Sequence, residues 1–191
     1  MKIKIKCFAV MLFLSLLISY SYFAFCVLLA VIIHELGHIV SAKYLKINLS
    51  ECKVDIFGAS LSPESNNFSY KDEIFLCMCG PMFNFISSAF VLPFWFYSKY
   101  DTLLYFILAS LALALLNLLP IKGFDGGRIF HALLCIISDQ DKANTIISVI
   151  SFLCILFLWI LSVYMLLIAR SNLSLFIFSI SLFIKIFVKE N

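Results

Sequence analysis

The sequence predicts an all-α membrane protein with about six transmembrane helices and one short extended or β segment. Three observations lead to this fold class. The 191 residues are 63% hydrophobic, include 21 Phe and have a mean hydropathy of +1.07, which leaves too little polar surface to coat a soluble globule. Several apolar runs are long enough to cross a bilayer. The basic residues collect on one side of those runs, so we expect one polytopic membrane domain over residues 1–191.

The predicted spans cover residues 5–20, 22–40, 74–97, 103–119, 145–169 and 173–188. The first is short, and it could instead belong to a signal peptide because Lys2, Lys4 and Lys6 precede it, although no clear A-x-A cleavage site follows. With a cytosolic N-terminus, all the Lys and Arg residues except Lys99 and Arg170 fall in the cytosol. We therefore expect a multi-pass protein of the cell membrane with both termini cytosolic.

One loop between spans, residues 42–72, is long. Within it, residues 53–61 alternate partly between apolar and polar and include Gly58, which predicts a short strand or hairpin after the second span. A plain surface loop fits this pattern equally well. The seven cysteines show no paired spacing, so we interpret them as small buried hydrophobic residues rather than a disulfide framework.

His34, Glu35 and His38 stand inside the otherwise apolar second span. Residues four apart share one face of a helix, so the two imidazoles could bind one metal ion with Glu35 beside it as a general base. Each charged group near the middle of a membrane costs about 2.5 kcal/mol or more, which a bound cation would offset. The pattern therefore predicts a Zn²⁺ site. An interhelical hydrogen-bond cluster around a neutral Glu35 is the alternative.

A catalytic zinc site needs a third protein ligand, and Asp125 is the best-placed carboxylate. Most other acidic residues lie in loops, at span ends or near the termini, whereas Asp125 follows Pro120 in a glycine-rich break on the cytosolic side. An N-cap carboxylate for a helix starting near Gly126 is the alternative. The apolar stretch after it, residues 129–138, is too short to span, and we expect His131 within it to be an interfacial histidine rather than a fourth ligand.

Three sequence elements occur in the order His34-Glu35-Leu36-Gly37-His38, Gly80-Pro81-Met82-Phe83-Asn84, and Asn117-Leu118-Leu119-Pro120 followed by Asp125-Gly126-Gly127. With these elements the chain resembles the site-2 protease family of intramembrane zinc metalloproteases. The resemblance implies a metalloendopeptidase of the HExxH type with zinc bound by His34, His38 and Asp125. It also implies Glu35 as general base, Asn84 as a polar group near the scissile peptide, and a substrate-pairing strand at Gly58.

Within that family the Asn-Leu-Leu-Pro-Ile stretch looks most like the stage IV sporulation protein FB group, whose members usually carry a CBS domain after the sixth span. We expect neither a CBS nor a PDZ domain here. The resemblance implies that the substrate is a single-span membrane protein, such as a membrane-tethered pro-sigma or anti-sigma factor, cut in the lipid bilayer near the cytosolic face. A membrane-bound regulatory partner is a further expectation, and a nucleic acid is not expected as a partner.

Two other functions remain open. A zinc-binding membrane transporter would also bury His and Asp, but transporters usually carry more intramembrane charge and an internal repeat. A membrane zinc hydrolase acting on lipidated or prenylated substrates could share the first element. The second and third elements favour the protease.

Overall fold

The computed structural model describes residues 22–47, 52–55, 58–61 and 69–169, together with positions 180 and 183, and for residues 52–61 it describes backbone only. The predicted first span, residues 5–20, lies outside the described residues, as does nearly all of the last, residues 173–188. The described elements are α1 (Tyr22–Tyr44), β1 (Cys52–Asp55), β2 (Gly58–Leu61), α2 (Tyr70–Ser98), α3 (Asp101–Asn117), α4 (Asp125–Ile137) and α5 (Gln140–Ala169).

Three of the described helices are long and apolar enough to cross a membrane: α1, α2 and the Gln140–Tyr164 part of α5. The predicted span at residues 103–119 corresponds to α3, which is apolar but has only 17 residues and ends at Asn117, three residues before Pro120. A proline disfavours helical backbone at the residue before it, which accounts for the early end. The total of six spans stays a prediction.

Strands β1 and β2 pair antiparallel between α1 and α2 in sequence. Cys52 lies opposite Leu61 and Asp55 lies opposite Gly58, so Gly58 occupies the first position of β2. The pair is two-stranded, and each strand has four residues. The strands overlap residues 53–61, for which the sequence predicts a short strand or hairpin, and β1 begins one residue before that segment.

The two ends of α2 are capped in different ways. Ser69 caps the N-terminus in a capping box with Asp72, which satisfies backbone amides that have no partner within the helix. At the other end Lys99 adopts a left-handed conformation with φ 58°, and its ammonium lies 4.7 Å from the centre of the Trp95 ring. Between these ends the 29 residues extend about 44 Å, more than the apolar thickness of a bilayer.

Helix α2 lies at the centre of the bundle and packs against α1, α3 and α4. It comes very close to α1 at Gly37, where an added Cβ would lie 2.5 Å from the carbonyl oxygen of Cys79. Small residues allow such close backbone approach in membrane helices. Large apolar side chains cover the outer faces, including Leu36, Phe90, Leu115 and Phe157, as expected for contact with lipid.

The irregular segment between α3 and α4 is held by backbone and hydroxyl contacts. The amide of Lys122 donates to the hydroxyl of Ser151 on α5 over 2.8 Å, and that hydroxyl lies 3.3 Å from the carbonyl oxygen of Pro120. Gly126 packs against the carbonyl of Leu118, leaving no room for a side chain. The segment therefore starts α4 at a fixed place, with Asp125 as its first residue.

Candidate metal centre

Helices α1 and α4 bring three donor atoms together in a buried cluster. Nε2 of His34 lies 3.0 Å from Oδ2 of Asp125, Nε2 of His38 lies 3.3 Å from the same oxygen, and the two nitrogens are 3.3 Å apart. We call these atoms the donor triangle. Among the described residues this is the one group of His, Cys, Asp or Glu side chains whose donor atoms are close enough to share a metal ion.

The dimensions of the donor triangle suit a tetrahedral metal ion. Zinc binds imidazole nitrogen and carboxylate oxygen at about 2.0 to 2.1 Å, which places neighbouring ligand atoms of a regular tetrahedron about 3.3 Å apart. The three observed distances, 3.0 to 3.3 Å, lie close to that value. Two imidazoles and one carboxylate also form an ordinary donor set for catalytic zinc, with one position left open.

The charge of Asp125 also suits a cation site. Burial raises the pKa of a carboxyl group, but hydrogen bonding to the His34 and His38 imidazoles outweighs that effect and lowers the pKa of Asp125 to about 2. The side chain is therefore an ionised carboxylate at neutral pH. Its helix, α4, is too short to span a membrane, so the carboxylate enters the bundle from an end rather than from within a span.

The helical repeat of α1 places the side chains around His34 and His38 on two different faces. The buried face carries His34, Gly37, His38 and Ser41. The exposed face carries Leu36, Ile39 and Val40. The imidazoles of His34 and His38 meet edge to face, with ring centres 4.9 Å apart. The predicted pairing of imidazoles four residues apart is therefore present in the structure. Glu35, the residue between them in sequence, is half-buried and outside the donor triangle.

The second nitrogen of each imidazole contacts α2. Nδ1 of His38 lies 2.9 Å from the carbonyl oxygen of Leu76, a distance that fits an N–H donating to that oxygen. Nδ1 of His34 lies 3.4 Å from Nδ2 of Asn84, whose side chain is fully buried. The sequence did not reveal the Leu76 contact. Pro81 does not indicate it, because the amide that a proline at this position lacks would bond the carbonyl of Cys77 and not that of Leu76.

An ion pair joins α4 to α2 near Asp125. The guanidinium of Arg128 lies 3.1 Å from Oε1 of Glu73 through both Nε and Nη2, and both side chains are largely covered. Nothing in the local sequence indicated this pair, since the residues are 55 positions apart. The pair ties the first turn of α4 to the first turn of α2.

Three further expectations from the sequence concern His131, the N-cap of α4 and Gly58. His131 is half-buried on α4 and lies 3.6 Å from Sγ of Cys135, outside the donor triangle. The alternative interpretation of Asp125 as an N-cap is wrong, because α4 begins at Asp125 and this residue is already helical. The N-cap residue is Phe124, which makes no side-chain cap bond. Gly58 is placed only as the first residue of β2.

A family profile, a curated relative and a solved structure are similar to this chain. The sequence profile of peptidase family M50 matches residues 22–101 and 96–161. Stage IV sporulation protein FB of Bacillus subtilis (strain 168) is 29% identical over 123 residues, which are 63% of this chain and 43% of that protein. The site-2 protease from Methanocaldococcus jannaschii superposes with a TM-score of 0.65 at 22% identity, covering 94% of this chain and 84% of that one. The chain thus spans less than half of the sporulation protein, and its likeness to the archaeal structure is one of fold.

Proposed function

The chain belongs to peptidase family M50, as its three sequence elements predicted, and from this membership and the donor triangle we propose that it is a zinc-dependent intramembrane endopeptidase of the HExxH type. The observation that carries the proposal is the convergence of His34, His38 and Asp125 inside a bundle of membrane-length helices. Without partners, the two histidines and the carboxylate would each be costly inside a membrane.

In the proposed mechanism His34, His38 and Asp125 would hold Zn²⁺. When bound, the ion supplies a Lewis acid that polarises the peptide carbonyl and acidifies water. Glu35 takes the proton from the attacking water and returns it to the leaving amine. Glu35 follows His34 directly on α1 and is half-buried, which supports this role.

The proposed substrate is a single-span membrane protein, and its helix must unwind before cleavage because a helix hides its peptide carbonyls within its own hydrogen bonds. The backbone of an unwound segment could pair with the edge of β2 at Gly58, where the lack of a side chain allows close approach. Asn84 is fully buried against His34, so we do not assign it a substrate contact.

We propose that cleavage falls near the cytosolic face. His34 lies 12 residues from the start of α1 and His38 lies 6 residues from its end, which are about 18 Å and about 9 Å along the helix. With the cytosolic termini that the basic residues predict, the end of α1 near His38 faces the cytosol. The proposed substrates include a membrane-tethered pro-sigma or anti-sigma factor, which would be cut in regulated intramembrane proteolysis. We also propose a membrane-bound regulatory protein as a partner.

The test is cleavage by purified protein reconstituted in liposomes with single-span substrates, followed by mass spectrometry of the products. We expect cuts in the cytosolic third of the substrate span, abolished by Glu35→Gln and retained in Asp139→Asn, which changes an exposed carboxylate at the start of α5. Cuts confined to soluble proteins would contradict the proposal. Zinc transport without cleavage, or hydrolysis of lipidated ends, would support one of the two alternatives.

A further inference from the structure

One face of α2 is shaped around the two imidazoles of the donor triangle. Gly80 and Asn84 lie one helical turn apart on that face, and both are buried. A Cβ on Gly80 would collide with the ring of His38 and would lie 2.9 Å from Cε1 of His34. Asn84 has no exposed surface and meets the same ring at Nδ1, the nitrogen next to Cε1.

The tautomer of each imidazole decides whether it can bind a metal ion. A neutral imidazole carries one N–H and one lone pair, so Nε2 can bind metal only when Nδ1 carries the hydrogen. The Leu76 carbonyl meets this requirement for His38, because it accepts from Nδ1. His34 needs an acceptor at the same place on its own ring.

The contact between His34 and Asn84 has an unusual arrangement. As oriented, the amide nitrogen of Asn84 faces Nδ1 of His34 at 3.4 Å, which would set two N–H groups against each other in the metal-binding tautomer. The amide oxygen of Asn84 is buried and has no hydrogen-bond partner. The two ends of an amide group have the same shape, and their assignment depends on the hydrogen bonds that they make.

We propose that Asn84 is a positioning residue for the metal centre: its amide, rotated by 180°, accepts the Nδ1–H of His34 and so keeps the Nε2 lone pair directed at the metal. The rotation replaces a contact between two donors by a hydrogen bond and gives the buried oxygen a partner. Asn84 and the Leu76 carbonyl then act as equivalent acceptors for the two histidines. The inference rests on the proposed zinc site.

The test measures zinc affinity, not cleavage, by competition with a chelator on the purified full-length chain. Asn84→Leu keeps the shape of the side chain and removes the acceptor, so we expect its Kd for zinc to rise by about 10- to 100-fold. Asn84→Asp keeps an acceptor and should restore affinity to within a few-fold of the original. Ser88→Ala is the matched control, since that buried hydroxyl lies one turn further along and bonds only the Asn84 backbone carbonyl.

The outcomes separate this inference from the function it rests on. A chain that binds no zinc at all would overturn both. Normal zinc affinity in Asn84→Leu, or equal loss in Asn84→Leu and Asn84→Asp, would overturn the acceptor role while leaving the zinc site intact. Thermal unfolding of each variant with zinc removed shows whether a change in affinity reflects loss of the fold, because a plain interhelical hydrogen bond would lower stability without the rescue by Asp.

Discussion

Glu73 on the first turn of α2 and Arg128 on the first turn of α4 are joined by contacts of 3.1 Å. Arg128 lies three residues beyond Asp125 in the sequence. Asp125 is the one residue of the donor triangle that is not on α1, so its position depends on how α4 is docked. The backbone around Pro120 sets where α4 starts, and the ion pair fixes its first turn against α2. The pair therefore helps to hold Asp125 in the donor triangle without touching the triangle itself.

We expect Arg128→Met to weaken zinc binding by up to about fivefold, since a partly covered ion pair contributes about 1 kcal/mol or less. Glu73→Arg combined with Arg128→Glu should recover part of that loss, because the charges are exchanged and the attraction is kept. Zinc affinity by chelator competition measures both. Lys142→Met removes an exposed pair with Asp139 and should change nothing. Unchanged affinity in Arg128→Met would show that α4 docks without the pair.

Removing a ligand and removing the base should have separable effects. We expect one zinc ion per chain in the unaltered protein and in Glu35→Gln, which should be inactive, whereas His34→Ala should lose both the metal and the activity. Metal analysis of the purified proteins gives the stoichiometry. Stoichiometric zinc in His34→Ala would mean that the donor triangle is not the metal site.

Adding a single methyl group at Gly80 should disturb the centre more than its size suggests. The new Cβ would meet the His38 imidazole, so Gly80→Ala must displace the ring or separate α1 from α2. We expect a fall in zinc affinity of at least about tenfold, in line with the effect of misplacing a metal ligand. Met82→Ala, at an exposed position of the same helical turn, is the control and should bind zinc normally.

Bulk at the start of β2 should affect cleavage and not the metal. If the substrate backbone approaches Gly58, Gly58→Val should slow cleavage by about tenfold or more, since a displacement of about 1 Å at the reacting bond can cost 10²-fold. Zinc content should stay the same. Ala59→Val adds bulk to the opposite face of the strand and serves as the control. Equal turnover in Gly58→Val and the unaltered protein would leave β2 without a substrate role.

The basic residues predict that the loop holding β1 and β2 faces the cytosol. Cys52, the first residue of β1, reports on this directly. In a variant in which Cys52 is the only cysteine, we expect a membrane-impermeant maleimide to label it in inverted vesicles or permeabilised cells and not in intact cells. Labelling in intact cells would reverse the orientation and place the proposed cleavage at the outer face.

Local sequence was enough to predict some parts of the centre but not others. The spacing of His34 and His38 on a helix determines that they share a face, and the place of Asp125 in the glycine-rich break after Pro120 singled it out as the candidate third ligand. The acceptors behind the imidazoles could not be predicted. They depend on how α2 crosses α1, and that crossing depends on the contact between Gly37 and Cys79, which no local pattern encodes.

The order in which the chain is synthesised has a consequence for the proposed protease. His34 and Asp125 are 91 residues apart, and α2 and α3 lie between them in sequence. A ribosome therefore produces both histidines and two further helices before it adds the carboxylate that completes the set of ligands. A centre divided in this way is assembled late, after α1, α2 and α3 have all been synthesised.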